Sequence, residues 1–163
     1  MAYKWLNMAD TKLDAIDRRI LAALQEDAHT TMERLAEIVG LSPSPCARRV
    51  RQLEAAGVIK RYVAVVDQDK VGLPISVFAS IRLERQREDE LDRFAKAISR
   101  WPEIVECYLM TGQRDYLLRI VVKDLPAYEA FLKRTLTRLE GVASIESSFA
   151  LSQVKHSQAL PVE

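Results

Sequence analysis

Residues 35–61 read LAEIVGLSPSPCARRVRQLEAAGVIKR, and this stretch decides the fold of the N-terminal third of the chain. An amphipathic segment ends at Gly40, and Ser42-Pro43 begins a second helical segment that contains three arginines. Serine before proline is typical of a helix start, because serine can cap the helix and proline has no N–H to leave unpaired. Two short helices joined at a glycine turn are the layout of a helix-turn-helix, whose second helix enters a DNA groove.

The second of these helical segments has two different faces. Cys46, Val50 and Leu53 recur at spacings of four and three, which predicts a buried inner face. The outer face combines small residues with arginines, so the backbone can approach DNA closely while guanidinium groups pair with guanine edges or phosphates. The plainer alternative is a solvated helix face. The predicted DNA-binding residues are Ser42, Ser44, Ala47, Arg48, Arg49, Arg51, Lys60 and Arg61.

Positive charge is concentrated around this segment. Residues 40–61 contain five basic residues and one acidic residue, a local balance of +4 in a chain whose net charge is +1. Residues 62–163 contain 14 basic and 15 acidic residues. Such clustering favours a nucleic-acid partner for the N-terminal third. Arg49 lies nearer the buried edge of its helix, so an ion pair with Glu54 or Asp17 is the alternative to DNA contact there.

Composition limits the class of protein. The chain has 163 residues, of which 48% are hydrophobic and 29% charged, as in ordinary globular proteins. No apolar run is long enough to cross a bilayer, and residues 1–10 lack the apolar core of a signal peptide, so we expect a cytoplasmic protein without a membrane partner. Cys46, Cys107, His29 and His156 stand too far apart in sequence to predict a disulfide framework or a metal site, and no cofactor is expected.

The first domain is expected to cover residues 1–62. Periodic apolar residues predict a helix over about residues 13–26, and Thr30 with Glu33 has the spacing of a capping box for the next helix. The β-branched run at residues 58–67 predicts a strand. Gly72 and Pro74 mark the clearest boundary, so residues 63–74 are interpreted as strand and linker and residues 75–163 as a second domain.

The second domain alternates strand and helix patterns. Two amphipathic helices are predicted at residues 88–101 and 125–139, and strands at residues 75–83, 104–110, 116–122 and 144–154. The order β-α-β-β-α-β is that of the ferredoxin-like fold, in which both helices lie on one face of the sheet. The whole chain is therefore expected to be an α+β protein, with a winged-helix-like helix-turn-helix domain followed by a ferredoxin-like domain.

The helix-free face of this sheet would be left open in a single chain. Its predicted apolar residues come from the strand 75–83, from Tyr108 and from residues 118–122. A second subunit is the simplest cover for such a face. We therefore expect a homodimer that forms sheet to sheet through the C-terminal domain.

The predicted hairpin loop Thr111-Gly112-Gln113-Arg114-Asp115 is a second candidate site. Gly112 permits a tight turn, and the N–H groups of such a turn can bind a carboxylate. The carboxylate of Asp115 could accept the ammonium group of a small ligand. The plain alternative is a β-hairpin with a polar tip.

Four motifs, in this order, resemble those of the Lrp/AsnC family of transcription regulators, also called feast/famine regulators. The likeness runs from Leu13 to about Lys155. The motifs are Leu13-Asp14-x-x-Asp17-x-x-Ile20-Leu21; Leu41-Ser42-Pro43-x-Pro45-Cys46-x-x-Arg49-Val50-x-x-Leu53-Glu54-x-x-Gly57-Val58-Ile59; Thr111-Gly112-x-x-Asp115-Tyr116-Leu117-Leu118; and Gly141-Val142 with Leu151-x-x-Val154-Lys155.

The resemblance implies a DNA-binding domain joined to an effector domain through which dimers form and assemble further, commonly into octamers. It also implies that a small amino acid binds between dimers near the Gly-x-x-Asp-Tyr loop. Gln113-Arg114 and Ile145 depart from the residues common in the family, and a leucine-type or other bulky amino acid is favoured. The corresponding effector-binding residues are Met110, Thr111, Gly112, Gln113, Asp115, Tyr116 and Ser147.

The leading hypothesis is a sequence-specific transcription regulator that binds double-stranded DNA and responds to a small amino acid. The alternative is an architectural protein that wraps DNA with little or no ligand response. An enzyme is not expected, because no Ser-His-Asp order, metal-ligand spacing or glycine-rich phosphate loop is present. Residues 1–10 have no assigned role, and the tail, residues 156–163, is expected to be flexible or to pack on a neighbouring subunit.

Overall fold

The computed structural model describes residues 12–162, so the expectations for residues 1–10 lie outside it. The helices are α1 (Ala15–Glu26), α2 (Met32–Val39), α3 (Pro43–Ala55), α4 (Glu88–Ile98) and α5 (Leu125–Arg134). The strands are β1 (Ile75–Leu83), β2 (Ile104–Leu109), β3 (Tyr116–Val122) and β4 (Val142–Phe149). The chain forms two compact units that meet in sequence at Val65 and Val66, and residues 154–162 belong to the N-terminal unit.

The N-terminal unit is a three-helix bundle with the predicted helix-turn-helix. The apolar stripe of α2 and the inner face of α3 are buried as predicted, and Ala36 is 1% exposed, which lets α2 and α3 approach closely. Gly40 has a φ of 74°, and the N–H of Leu41 donates to the Ala36 carbonyl at 2.9 Å. This is the αL ending of a Schellman motif, which glycine adopts without steric cost.

The helix starts differ in part from prediction. α1 begins with a capping box between Asp14 and Asp17. The prediction that Thr30 caps α2 is wrong. Its N–H donates to the Asp27 carbonyl at 3.2 Å, so Thr30 belongs to the turn before the helix. Thr31 caps α2 instead, accepting from the N–H of Arg34 at 3.2 Å. Ser42 stands at the predicted cap position of α3, but its side chain makes no capping bond.

The strand predicted at residues 58–67 is wrong. No strand occurs there, and the apolar side chains of Tyr62, Val63, Val65 and Val66 are all exposed. β-branched residues form a stable strand only when a neighbouring strand and a packed face are present. Within residues 12–162 the only sheet is in the C-terminal unit, and this segment is not part of it.

The C-terminal unit has the predicted ferredoxin-like fold. Its antiparallel sheet has the order β2-β3-β1-β4, so β1 and β3 are central. Alternate residues of β1, including Val77, Ala79 and Ile81, point into a core that α4 and α5 cover through Phe94, Phe131 and their neighbours. The fold class, α+β with a ferredoxin-like second half, is thereby confirmed.

Five boundaries of this unit differ from prediction: the end of β2 at Leu109, both ends of β4, which begins at Val142, and the ends of the two helices. β4 ends at Phe149 rather than at residue 154, since its neighbour β1 begins at Ile75 and offers no further ladder. The two helices end at Ile98 and Arg134, and a 3₁₀ turn at Leu136–Arg138 follows the second. Leu118, Ile120 and Val122, predicted on the open face, belong instead to the core.

The helix-free face of the sheet carries Phe78 and Tyr108, which are 37% and 53% exposed. Between them lies a polar group: Arg119 donates to Glu106 at 3.0 Å and to Gln68 at 2.8 Å. The open face is therefore mixed rather than uniformly apolar.

A core substitution tests the helix-turn-helix packing. Leu35 is fully buried, so Leu35→Ala should lower the free energy of unfolding by about 2–5 kcal/mol. Ile38, on the same helix and 40% exposed, is the matched control, and Ile38→Ala should cost less than about 1 kcal/mol. Urea unfolding followed by circular dichroism measures both. Equal losses would contradict the assignment of the buried face.

Candidate functional site

The outer face of α3 presents two arginines to solvent. The side chains of Ser44, Arg48 and Arg51 are exposed, and Ala47 is half-buried. Within residues 12–162 neither Arg48 nor Arg51 has an ion-pair or hydrogen-bond partner. Their spacing of three places both on one side of the helix, opposite Cys46, Val50 and Leu53. This is the arrangement expected of a helix that enters a groove of DNA.

Arg49 is held differently. Its Nη1 lies 2.7 Å from Asp14 Oδ2 and 2.8 Å from Asp17 Oδ1, so one guanidinium joins α3 to the capping box of α1. The pKa of Asp14 is lowered by the backbone N–H of Asp17 and then by Arg49. The alternative partner Asp17 is thus found. Glu54 instead accepts a hydrogen bond from the Tyr62 hydroxyl at 2.9 Å.

The remaining predicted DNA-binding residues flank α3. Ser42 precedes the helix, and Lys60 and Arg61 follow it on the extended connector, all three with exposed side chains. The Ser42 hydroxyl is not used as a helix cap. A helix N-terminus offers N–H groups and a positive dipole end to a phosphate. The contact of these three flanking residues with DNA stays a prediction.

The hairpin loop between β2 and β3 has an exposed tip. The N–H of Met110 donates to the Asp115 carbonyl at 2.8 Å, which closes the loop at its base. Gly112 has a φ of 102°, a conformation that glycine adopts most readily. Within the described part of the chain, the N–H groups of residues 111–114 donate to no backbone carbonyl. The tip can therefore offer several N–H groups to an anion.

Asp115 is buried at the base of this loop. It is 5% exposed, and its Oδ2 accepts a hydrogen bond from the Leu83 N–H at 2.7 Å. Its own N–H donates to the Ile81 carbonyl at 2.9 Å. In this structure the side chain fixes the end of β1 to the loop. That Asp115 also accepts a ligand ammonium stays a prediction.

Tyr116 is a core residue. Its ring stacks on Phe94 with 4.6 Å between the ring centroids, and its hydroxyl donates to the Leu91 carbonyl at 3.0 Å. Burial raises the pKa of Tyr116 to about 12. The side chain therefore supports the loop from below and does not reach its exposed tip.

Ser147 lies away from the loop within one chain. It belongs to β4, the edge strand opposite β2, and its hydroxyl is 2.5 Å from that of Tyr128. Thr111, Gly112 and Gln113 are together at the exposed tip, and Met110, also exposed, lies at the base of the loop. The predicted effector residues thus fall into an exposed group, a buried pair beneath it and one distant member.

Sequence reasoning missed the anchoring role of Arg114. This side chain reaches back from the loop, with Nη1 2.8 Å from Ser80 Oγ and Nη2 3.1 Å from Glu146 Oε2. It thereby connects the loop to β1 and β4. The partners lie 34 and 32 residues away, and only the strand order brings them together, so the sequence carried no signal for this contact.

A cavity of about 320 Å³ lies beside the hairpin, on the helix side of β2. Most of its lining is apolar, and burial there raises the pKa of the Cys107 thiol to about 11. The lining includes Leu109, the last residue of β2, and Tyr116, the first residue of β3. It also includes Ala95, Ile98, Ile104 and Val105.

Comparison with known proteins agrees with this architecture. Residues 13–60 match a family described as winged helix-turn-helix DNA-binding, and residues 76–160 match the Lrp/AsnC ligand binding domain. A DNA-binding unit followed by a ligand-binding unit defines a ligand-responsive DNA-binding regulator. The chain belongs to the Lrp/AsnC family of transcription regulators.

The relatives align over most of the chain. The Bkd operon transcriptional regulator of Pseudomonas aeruginosa is 47% identical over 93% of this chain and 99% of its own length. A transcriptional regulator of Neisseria meningitidis, solved as an L-Met complex, has 39% identity and a TM-score of 0.88, covering 93% of this chain and 97% of that one. An AsnC family regulator of Agrobacterium tumefaciens has 45% identity and a TM-score of 0.87, covering 92% and 97%. No described helix is long and apolar enough to span a bilayer.

The Arg49 ion pairs should make stability depend on pH. The folded pKa of Asp14 lies below its ordinary 3.8, so its contribution is complete above that pH and is lost as the pH falls through the folded pKa. Arg49→Met should therefore destabilise the protein at neutral pH and progressively less below pH 3.8. The free energy of unfolding of the variant still depends on pH in part, because the Asp17 N–H still lowers the Asp14 pKa. Urea unfolding across this range measures the difference. A gap between the two proteins that does not change with pH would contradict the assignment.

Proposed function

We propose that α3 enters the major groove of DNA and that Arg48 and Arg51 make the principal base or phosphate contacts. The observation that carries this proposal is the division of the three arginines: Arg49 is bound by two carboxylates, while Arg48 and Arg51 have no partner among residues 12–162. Arginine is suited to guanine edges and phosphates because its planar group donates two parallel hydrogen bonds. Ser42, Lys60 and Arg61 then contact phosphates beside the groove.

We propose further that the loop tip binds the carboxylate of an amino acid. The N–H groups of residues 111–113 supply the donors, and the neighbouring apolar cavity receives the ligand side chain. The cavity has a volume of about 320 Å³, and its lining is mostly apolar apart from Glu106, Ser99 and Cys107, which suits a leucine-type side chain. The L-Met complex of the Neisseria relative supports an amino acid of this size and polarity. Asp115 acts as a positioning residue that holds the loop open, rather than as a ligand for the ammonium group.

The assembly follows from the open sheet face. Phe78 and Tyr108 would be covered in a sheet-to-sheet homodimer, with Arg119 and Glu106 contributing polar contacts at its centre. We propose that such dimers assemble further into octamers, in which Ser147 of one dimer approaches the loop of another. Binding at junctions between dimers would couple the amino acid to the spacing of the DNA-binding units. A cytoplasmic location and a regulatory rather than catalytic role complete the proposal.

The DNA proposal predicts unequal effects of neighbouring arginines. Arg48→Ala or Arg51→Ala should weaken binding by about 1–3 kcal/mol where the arginine contacts a base, or lower the salt dependence where it contacts phosphate. Arg93→Ala, which removes the same charge from α4, is the matched control and should leave affinity unchanged. Fluorescence anisotropy with a duplex selected by the protein from a random pool measures this. Wild-type affinity in both α3 variants would rule out the assigned face.

The effector proposal predicts different outcomes at Asp115. Asp115→Asn keeps an oxygen that can accept from the Leu83 N–H, so L-Met or L-Leu should still bind. Asp115→Ala removes the acceptor and should weaken binding by about 1–3 kcal/mol. Calorimetry measures both, with DNA affinity in the absence of amino acid as the control. Equal loss in Asn and Ala variants would indicate direct contact with the ammonium group. No binding of any amino acid to the unaltered protein would favour the architectural alternative.

A further inference from the structure

The segment 154–162 returns to the DNA-binding unit. The side-chain amide of Gln25, near the end of α1, accepts from the N–H of Leu160 at 2.7 Å and donates to the carbonyl of the same residue at 3.1 Å. One amide therefore binds both polar backbone groups of one residue, as a neighbouring strand would. The two residues are 135 positions apart in the chain.

The next two residues complete the contact. Pro161 has a fixed φ and disfavours helical geometry in the residue before it, so Leu160 is held extended. Val162 then packs, half-buried, against the hydrophobic core of α1, α2 and α3. The side chains of Val154 and Leu160 do not pack against this core, since they are 96% and 71% exposed. The segment is therefore held by two hydrogen bonds between the Gln25 side chain and the Leu160 backbone, and by the packing of Val162.

We propose that α1 carries a docking site for an extended segment of this chain, residues 160–162, and that the docked segment is a strap on the DNA-binding unit. The chain leaves this unit after Val65 and re-enters it at Val154, so docking ties the unit to the C-terminal unit by two chain segments instead of one. A second tether reduces the conformations open to the first. The core that the strap completes is small, with eight buried residues in the described part. The strap therefore stabilises α1 and restricts the movement of the DNA-binding unit.

Hydrogen exchange measured by mass spectrometry on the full-length protein tests this. Gln25→Ala, Val162→Asp and a chain that ends at Gln153 should each raise the exchange rate of residues 15–26 by about fivefold or more, because a net hydrogen bond or the packing of the half-buried Val162 is lost. Exchange in β1 and β3 should not change. The matched controls are Leu160→Ala, which keeps the backbone pair and removes only an exposed side chain, and Leu151→Ala, which alters a fully exposed residue.

Unchanged exchange of α1 in all three variants would overturn the strap. The same holds if Leu160→Ala raises exchange as much as Val162→Asp does. Gln25→Ala guards against a folding defect, because it removes only a solvent-exposed amide and leaves the core intact. Restored protection on mixing the chain ending at Gln153 with the Gln25→Ala protein would mean that a second copy supplies the segment, which would overturn an intrachain strap.

Discussion

The guanidinium of Arg49 holds the recognition helix in place. It bonds to two carboxylates of the first helix, and one of them, Asp14, is also the helix cap. An isolated exposed ion pair contributes little, but this group joins two elements that are 32 and 35 residues apart and is only 27% exposed. With α3 oriented in this way, its apolar residues face the core and the two remaining arginines face outward.

A comparable constraint organises the C-terminal unit around β1. This strand is paired on both sides, with β3 and with β4, so anything bonded to it is linked to the whole sheet. The loop is bonded to β1 three times: the Asp115 carboxylate accepts from Leu83, the Asp115 N–H donates to Ile81, and Arg114 donates to Ser80. Its tip stays exposed while its base is rigid. A ligand that binds there therefore meets a preorganised surface, which reduces the entropy lost on binding.

Much of this could be read from periodicity. Positions 46, 50 and 53 are buried, and β1 and β3 have their predicted limits, because a stripe of period 3.6 or 2 determines which face is covered. The predictions that were wrong concern features that depend on contacts with other parts of the chain. Residues 58–67 have strand propensity but no neighbouring strand to pair with. Thr30 does not cap α2, because its N–H is bonded to Asp27 in the preceding turn. The burial of Asp115 and Tyr116 was missed for the same reason, since it depends on Leu83 and Phe94, which lie more than 20 residues earlier in the chain.

Two of these contacts lie at the two ends of the chain segment that runs from β4 to Leu160, one within each unit. Arg114 joins the loop to Glu146 on β4, and β4 leads into the segment whose Leu160 is bound by α1. The first helix in turn holds α3 through Arg49. Proximity alone does not make such a series an allosteric route; each step must have two states that a ligand can bias. The Arg114–Glu146 ion pair is solvent-exposed, so it can open at small cost. Release of Leu160 from Gln25 would also withdraw Val162 from the core of the three helices.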